Sequence, residues 1–391
     1  MNIELLTPEV QQFVTENLRA DVSALVLKGS PFENISSAEL ATQLAGRKTA
    51  ERKFPVWFNN EHILYPPKLN LEQTSSQITA EYKASLVSGK RLADLTGGFG
   101  IDSFFFSKKT GEVFYNELNK DLAAITRHNF KALEANNINV NSDDGLDFLK
   151  STEIELDWIY LDPARRDDYG GKVFRLTDCT PDVTQNLPLL FEKSEHILIK
   201  TSPLLDLKLG ISDLDFVAEI HIVAIENEVK ELLWLLKKGN TSALKIITKN
   251  FTKKEEQTFT TSFDESDRAN IGPPEAYLYE PNAAIMKSQL FGKLAMEFQL
   301  KKLHQNSHLF TSEENMSFPG RKFKITDILA FGSKDLKKRF KSKTANISTR
   351  NFPLNVESIR KKYKIRDGGI DYLFFTTNLK EEKIVLVCEK V

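Results

Sequence analysis

The sequence predicts an α/β protein: a doubly wound, mainly parallel sheet in the middle, a helical N-terminal domain before it and an α+β domain after it. Three observations carry this. Between positions 91 and 225, short apolar runs alternate with helical stretches. A glycine-rich turn, Thr96-Gly97-Gly98-Phe99-Gly100, joins the first run to the helix that follows. From Gly320 to Arg366, 15 Lys and Arg stand against three acids (Asp327, Asp335, Glu357), although the whole chain of 391 residues carries a net charge of only −1.

Taken in order, residues 1–74 read as a helical domain. Thr7-Pro8 starts a helix, with Pro at the first helical position, and Val10, Phe13 and Leu18 recur at helical spacing. Ser36-Ser37-Ala38-Glu39 ahead of Leu40 offers an N-cap and an early acid. Tyr65-Pro66-Pro67-Lys68 breaks the pattern. Residues 75–265 form the second domain, entered by a helix over 75–86. Its strands are expected at 92–95, 113–116, 138–141, 158–161, 196–199 and 220–225, with a clear helix over 123–134. Residues 231–236 fit a last, antiparallel strand, with a helix as the alternative for so Leu-rich a run. Residues 262–274 read as a linker ending in Gly272-Pro273-Pro274. A small module follows at 275–318, helical over 282–303, and a basic module at 319–391, with strands near 323–325, 346–349, 372–376 and 384–388.

Composition removes several classes. Hydrophobic residues at 41% and charged residues at 27% fit a globular chain. No apolar run reaches the roughly 18–20 residues that span a bilayer. The N-terminus, MNIELLTPEVQQ, lacks a signal peptide's basic start and apolar block, so a cytoplasmic location is expected. Two cysteines, Cys179 and Cys388, exclude a disulfide framework or a Cys-rich zinc site. Of six His, only His304 and His308 sit four apart, on an expected helix end without acidic or Cys partners, so no metal is expected.

The chemistry concentrates at the ends of the expected strands. In Asp94-Leu-Thr-Gly-Gly-Phe-Gly-Ile-Asp102, the glycines let the backbone approach a ligand, and the helix beyond offers N–H groups. A dinucleotide fingerprint fails, because its third glycine falls at Ser103, and no Gly-Lys-Ser/Thr phosphate loop occurs. The arrangement resembles motif I of class I S-adenosylmethionine-dependent methyltransferases. That resemblance implies that Thr96, Gly97, Gly98 and Gly100 cradle the amino-acid part of the cofactor, with Asp94 and Asp102 beside it. It also implies that Asp94 helps bind the cofactor's ammonium. Glu117, 17 residues past Gly100, can accept from both ribose hydroxyls; its plainer reading is a solvated loop acid. Asp144-Gly145 follows the third strand. Asp144 can accept from the adenine amino group beside Phe148, and Asp143 competes for that role. Upstream, Gln73, Thr74 and Thr79 can reach the cofactor's carboxylate, against a plainer role on the helix surface or at its N-cap.

The fourth strand ends in Asp162-Pro163-Ala164-Arg165-Arg166, at the edge where open α/β sheets place ligands. This resembles motif IV of nucleic-acid methyltransferases, often [DNS]-P-P-[YFW], and makes Asp162, Pro163 and Ala164 the catalytic candidates, with Asp162 orienting the acceptor. The family's stacking aromatic is replaced by Arg165, which counts against adenine-N6 chemistry unless Tyr169 or Phe174 substitutes. Arg165 and Arg166 read either as a phosphate grip or as ion-pair partners of Asp167 and Asp168. Lys200 and Ser202, at the end of the fifth strand, share that edge as substrate-binding candidates. Methyl transfer needs mainly orientation, so a missing His base does not oppose it. Covalent pyrimidine chemistry needs a thiolate, and Cys179 lies outside the usual positions for one.

Together, Pro66-Pro67-Lys68-Leu69 with Glu72-Gln73, the Asp94–Asp102 motif, Asp162–Arg166 and Lys200–Pro203 resemble one bacterial family, the class I methyltransferases with a C-terminal THUMP-like domain. Tyr277-Leu-Tyr-Glu-Pro-Asn282 resembles the start of its ferredoxin-like module, and 318–391, with Thr349-Arg350-Asn351-Phe352-Pro353, its THUMP-like module. The resemblance implies a Rossmann-like methyltransferase sheet, S-adenosylmethionine as cofactor, and structured RNA, tRNA or rRNA, as partner. The basic run Lys334, Lys337, Lys338, Arg339, Lys341 and Lys343, with Arg350, fits phosphates. Phe331, Phe340, Phe352 and Tyr363 interleave with it, either to stack bases or, as favoured, to pack a core. Two rivals stand beside this: a small-molecule or protein methyltransferase, and a non-catalytic RNA-binding protein. Intact Asp94, Glu117 and Asp162 argue against the last.

Overall fold

The structure, a computed structural model, describes residues 1–165, 175–265 and 267–391. The chain forms two compact units, residues 1–218 with 233–241 and residues 219–232 with 242–391. Among the described residues, no helix is long and apolar enough to cross a membrane.

The first unit begins with α1 (Pro8–Glu16), α2 (Val22–Lys28), α3 (Ser37–Lys53), α4 (Pro55–Phe58), α5 (Lys68–Gln73) and α6 (Gln77–Ser85). The start of α3 is a capping box: the Ser36 hydroxyl accepts the Glu39 N–H, and the Glu39 carboxylate accepts the Ser36 N–H. Leu5, Val10, Val14, Ile35, Leu40, Leu44 and Leu64 close the core of these helices. Phe54 and Trp57 are fully buried. Their rings, with Tyr65, surround Phe99 of the glycine-rich turn at 5.8, 6.4 and 6.2 Å. The helical segment therefore packs on the back of that turn.

The strands then follow: β1 (Gly89–Asp94), β2 (Thr110–Asn116), β3 (Ile138–Asn141), β4 (Trp158–Leu161), a small ribbon of β5 (Ala164–Arg165) and β6 (Cys179–Thr180), β7 (His196–Thr201), β8 (Val217–Ile225), β9 (Glu228–Lys237), β10 (Lys245–Phe251) and β11 (Glu256–Ser262). Between them lie α7 (Ile101–Phe106), α8 (Lys120–Ala132), α9 (Gly145–Ser151), α10 (Val183–Lys193) and α11 (Leu207–Asp213). The strand order is β11-β10-β8-β9-β7-β4-β1-β2-β3. β3, β2, β1, β4 and β7 pair in parallel. β4 is apolar and buried along its length, as a strand covered on both faces must be. The order reverses between β1 and β4, which opens a crevice at their carboxyl ends. The α/β expectation therefore holds.

Residues 231–236 are strand, not helix: Glu226 and Asn227, with φ of 48° and 65°, form a two-residue turn between β8 and β9. The hairpin of β10 and β11 was not expected from the sequence; β10 runs parallel to β8 and antiparallel to β11.

The second unit continues with β12 (Tyr277–Pro281), α12 (Ala283–Ser288), α13 (Phe291–Glu297), β13 (Lys301–Lys302), β14 (Phe310–Ser312), β15 (Gly320–Ala330), α14 (Lys334–Phe340), β16 (Asn346–Arg350), α15 (Val356–Tyr363), β17 (Asp371–Thr377) and β18 (Lys383–Lys390). Its seven-stranded sheet has the order β13-β14-β12-β15-β18-β17-β16. Leu336 and Phe340 of α14 and Ile359 and Tyr363 of α15 pack on Leu373, Phe375, Val385 and Val387 of one sheet face. One expectation changes here. Residues 282–303 are not one helix: Gln289 enters the left-handed region (φ 59°), and Gln299 does so again (φ 51°) before β13. His304 and His308 thus share no helical face. Phe331, Phe340, Phe352 and Tyr363 belong to the core under α14 and α15, with Phe331 and Phe352 4.9 Å apart edge to face, so the favoured packing reading holds.

Candidate active site

β1 ends in Asp94, 1% exposed. Its Oδ1 accepts the Thr96 N–H (3.0 Å) and its Oδ2 the Ser103 hydroxyl (2.5 Å). Ser103 stands where a dinucleotide fingerprint would need its third glycine. Burial, more than any neighbour, pushes Asp94 up to about 7; Ser103 and Thr96 oppose it, and the nearby charges of Asp102 and Asp162 add to it. Asp94 therefore shapes the turn from inside rather than from its surface.

The turn itself is tightly fixed. The Gly97 N–H donates to Asn116 O (2.8 Å), and a Cβ there would lie 2.2 Å from the Tyr115 ring. Gly98 and Gly100 have φ of 56° and 79°, which favour glycine. At Gly98 an added Cβ would meet nothing nearer than Thr96 O at 3.9 Å, so its backbone is bare on that side. Glu117, half-buried, takes the Gly98 N–H on Oε2 (2.9 Å) and the Asn119 N–H on Oε1 (2.8 Å). Asp144 caps α9 by accepting from Leu146 and Asp147 N–H (2.8 and 3.2 Å), while Asp143 is exposed. Gly145 allows α9 to approach β1, since a Cβ would lie 2.4 Å from Leu95 O. Phe148 stacks on Phe114 at 5.7 Å.

β4 delivers Asp162 beside this turn. Its N–H donates to Thr96 Oγ1 (2.6 Å), which couples the two motifs directly. Its Oδ2 forms an ion pair with Lys200 from the end of β7. Pro163 is buried and Ala164 exposed. Ser202 is exposed and accepts the Leu204 N–H. The side chains of Arg165 and Arg166, and Tyr169, Phe174, Asp167 and Asp168, lie outside the described residues. The backbone of Arg165 pairs opposite Cys179 in the β5–β6 ribbon, so the thiol's strand sits next to the motif although 14 positions away in sequence.

Not every candidate faces the turn. Asp102 is committed inward: its Oδ2 accepts from Ser75 Oγ and Tyr160 OH (both 2.8 Å), and its Oδ1 lies 3.3 Å from Lys83 Nζ, which is 0% exposed. Burial would raise Asp102, but Lys83, Lys200, Tyr160 and Ser75 outweigh it and hold it below its ordinary value. Thr79 is buried and returns its hydroxyl to Ser76 O (3.1 Å) at the start of α6. Gln73 is exposed on α5. Sequence reasoning missed Lys83, Ser75 and Tyr160. Tyr160 lies two residues before Asp162 in the same apolar run, and a lysine such as Lys83 within an expected helix carries no sequence signal of burial.

In the second unit, Lys337, Lys338 and Lys341 are exposed on α14 and just beyond it. Arg339 pairs with Asp327 (3.0 Å). Arg350 pairs with buried Glu280 (2.7 Å), so its charge is already matched within the fold.

The glycine turn, open at Gly98, Glu117 just past β2 and Asp162 at the end of β4 thus gather at the carboxyl ends of the central strands, where a cofactor could be held. A THUMP domain-like family matches residues 320–390, and a ferredoxin-like domain family matches residues 277–319. The crystal structure of a proposed methyltransferase from Porphyromonas gingivalis W83 superposes with a TM-score of 0.88 at 32% identity, covering 99% of this chain and 98% of that one. An rRNA methylase from Streptococcus thermophilus (14% identity, 41% and 94% covered, TM-score 0.30) is also similar. So is TrmK from M. capricolum with S-adenosyl-homocysteine (12% identity, 45% and 70% covered, TM-score 0.31). No curated protein matches the chain.

Proposed function

The chain belongs to the family of the Porphyromonas gingivalis protein, methyltransferase-fold chains with ferredoxin-like and THUMP-like C-terminal modules, and on that premise we propose that it transfers a methyl group from S-adenosylmethionine to a base nitrogen of RNA, tRNA or rRNA. The observation that carries this reading is the Thr96–Asp162 bond. It locks a bare glycine turn and a strand-end carboxylate together at the sheet's switch point.

The cofactor, when bound, supplies a methyl group on an already activated sulfonium. The residues have the remaining work. Gly98, open on its Cα side, lets the amino-acid tail approach, and Gly97 holds the turn against Tyr115. Glu117, held beside Gly98, meets the ribose hydroxyls, and Asp144 the adenine edge. Asp162 keeps Oδ2 on Lys200 and turns Oδ1 to an N–H of the target, which aims the nitrogen lone pair at the methyl group. Pro163, buried behind it, limits that carboxylate's drift. RNA is favoured over a small-molecule acceptor by the basic outer faces of α14 and α15, since phosphates reward such a surface. The division into 1–74, 75–265, 275–318 and 319–391 and a cytoplasmic setting belong to the same proposal.

Isothermal titration with S-adenosylmethionine, beside NADH and an Asp94→Ala control, tests the cofactor. Saturable binding of the first alone, lost in the variant, is expected. Labelled methyl transfer to bulk RNA then tests the acceptor. Binding without transfer to RNA, and no salt-sensitive retention on heparin, would move the reading to a small-molecule or protein substrate.

A further inference from the structure

Lys200 does more at the site than hold Asp162. It stands near the end of β7 on a fixed stretch of backbone. The next residue, Thr201, is buried and accepts Trp234 Nε1 of β9 on its hydroxyl (2.9 Å). Trp234 packs in turn on Gly210 of α11, where a Cβ would lie 2.3 Å from the ring. The Lys200 side chain is 12% exposed, and its Nζ donates to Asp162 Oδ2. Around this pair, Lys83 of α6 faces Asp102 of α7 (3.3 Å), Tyr160 of β4 donates to Asp102, and the Lys200 charge reaches Asp102 as well. Asp94 of β1 keeps its proton to about pH 7. Among the described residues of this group, two lysines thus balance two carboxylates at that pH and below. No surplus of either sign decides what charge an acceptor develops here. The nearest group decides it, in a place partly shielded from water.

Nucleobase nitrogens divide by that charge. An exocyclic amine, or a ring nitrogen without hydrogen, turns positive as it takes a methyl group, and an ammonium beside it opposes the step. A lactam nitrogen, an N–H next to a C=O, gives up its proton and turns negative, with the charge spread onto the carbonyl oxygen. An ammonium beside it favours the step, because a fixed charge aimed at where charge develops stabilises the transition state without reorganising. Asp162 and Lys200 present a proton acceptor and a positive charge side by side, the complement of a lactam edge. Ala164 and Arg165 stand where the motif IV pattern has its second proline and its aromatic, so the ring that would hold an amine-bearing base is absent from that position.

We propose that Lys200 determines the acceptor: with Asp162 taking the N–H proton and the Lys200 charge set against the carbonyl oxygen, the site selects a lactam edge, guanine N1–H with O6 or uracil N3–H with O4. Lys200 has this role only if the methyl-transfer reading above stands. The step balances. The N–H proton passes to Asp162 Oδ1, and its bonding pair stays on the base. The nitrogen then forms its bond to the methyl carbon as the carbon–sulfur pair leaves on sulfur. Asp162, whose side chain is 33% exposed, passes the proton on to water. The charge of Lys200 serves in this way whatever else its N–H groups bond.

Labelled methyl transfer by the full-length protein to bulk RNA, digested to nucleosides, reads the acceptor. 1-Methylguanosine or 3-methyluridine is expected, and the one found names the base. Methyl on an amine, or on a ring nitrogen without hydrogen, overturns the role of Lys200 and leaves methyl transfer to RNA standing. No label in any RNA defeats that earlier reading, and this one falls with it. Lys200→Gln keeps an N–H for Asp162 and drops the charge. With its fold checked by melting and its cofactor loading by titration, it should lower kcat by about 10²–10³ and move the rising limb of the kcat–pH profile to higher pH, and Lys200→Arg should restore both. A lysine that only positions Asp162 would leave the profile where it is, so an unmoved profile overturns the proposal. If Lys200→Gln unfolds, Lys200→Met carries the comparison. Filter binding with S-adenosyl-homocysteine gives a readout without turnover. A target guanosine replaced by 2-aminopurine, or a target uridine by cytidine, loses the N–H and with it O6 or O4. The wild type should bind such RNA about tenfold more weakly, and the difference should shrink in Lys200→Gln. Equal binding of both RNAs by the wild type overturns the role.

Discussion

Asp94 holds its proton to about pH 7 in the folded chain and only to about 3.8 when its ordinary value applies. A carboxyl raised in this way contributes stability that is complete at low pH and fades as pH rises through about 7. Urea unfolding of wild type and Asp94→Asn at about pH 5 and about pH 7.5 should therefore show the wild type losing more stability over that interval than the variant. The same residue was visible in the sequence as the acid opening a glycine-rich motif. Its inward hydrogen bonds were not, because Ser103 read only as a failed glycine. Gly97→Ala drives a methyl group into the Tyr115 ring. It should cost about 1–3 kcal/mol in thermal or chemical unfolding and weaken S-adenosylmethionine binding along with it.

Secondary elements meet at a buried ion pair. Lys83 from α6 and Asp102 from α7 hold each other, with Tyr160 of β4 completing the contact. Removing one partner strands the other charge away from water. Lys83→Met should cost about 3–5 kcal/mol, and Lys83→Met with Asp102→Leu should recover most of it. Melting curves of the single and double variants decide this; equal losses in both would contradict a charge effect. The parallel strands were legible at this scale because β1, β4 and β7 are short apolar runs between helices. β10 and β11 were not, although Ile246, Ile247, Thr248, Thr258, Thr260 and Thr261 supply the β-branched residues of a hairpin; Lys and Glu between them mimic a solvated loop. The long helix expected over 282–303 failed at Gln289 and Gln299, two non-glycine residues in a backbone region that composition does not announce.

At the scale of the molecule, charge segregation was the clearest signal in the sequence, and the basic residues do lie on the outer faces of α14 and α15 while the aromatics between them turn into the core. Each exposed lysine there that meets a phosphate adds to the salt sensitivity of binding. Replacing Lys337, Lys338 and Lys341 with Gln should lower the slope of log affinity against log salt by about 2–3 and raise the KM for RNA, with S-adenosylmethionine affinity unchanged. Filter binding at several salt concentrations measures the slope. The glycine-rich turn carries one further consequence, because Phe99 is gripped from behind by Phe54, Trp57 and Tyr65. A ligand loop anchored on helices from the chain's first 65 residues opens only when they do. Native-state hydrogen exchange should find the amides of α3, α4 and the turn in one cooperative opening unit, slowed together by any ligand the turn holds.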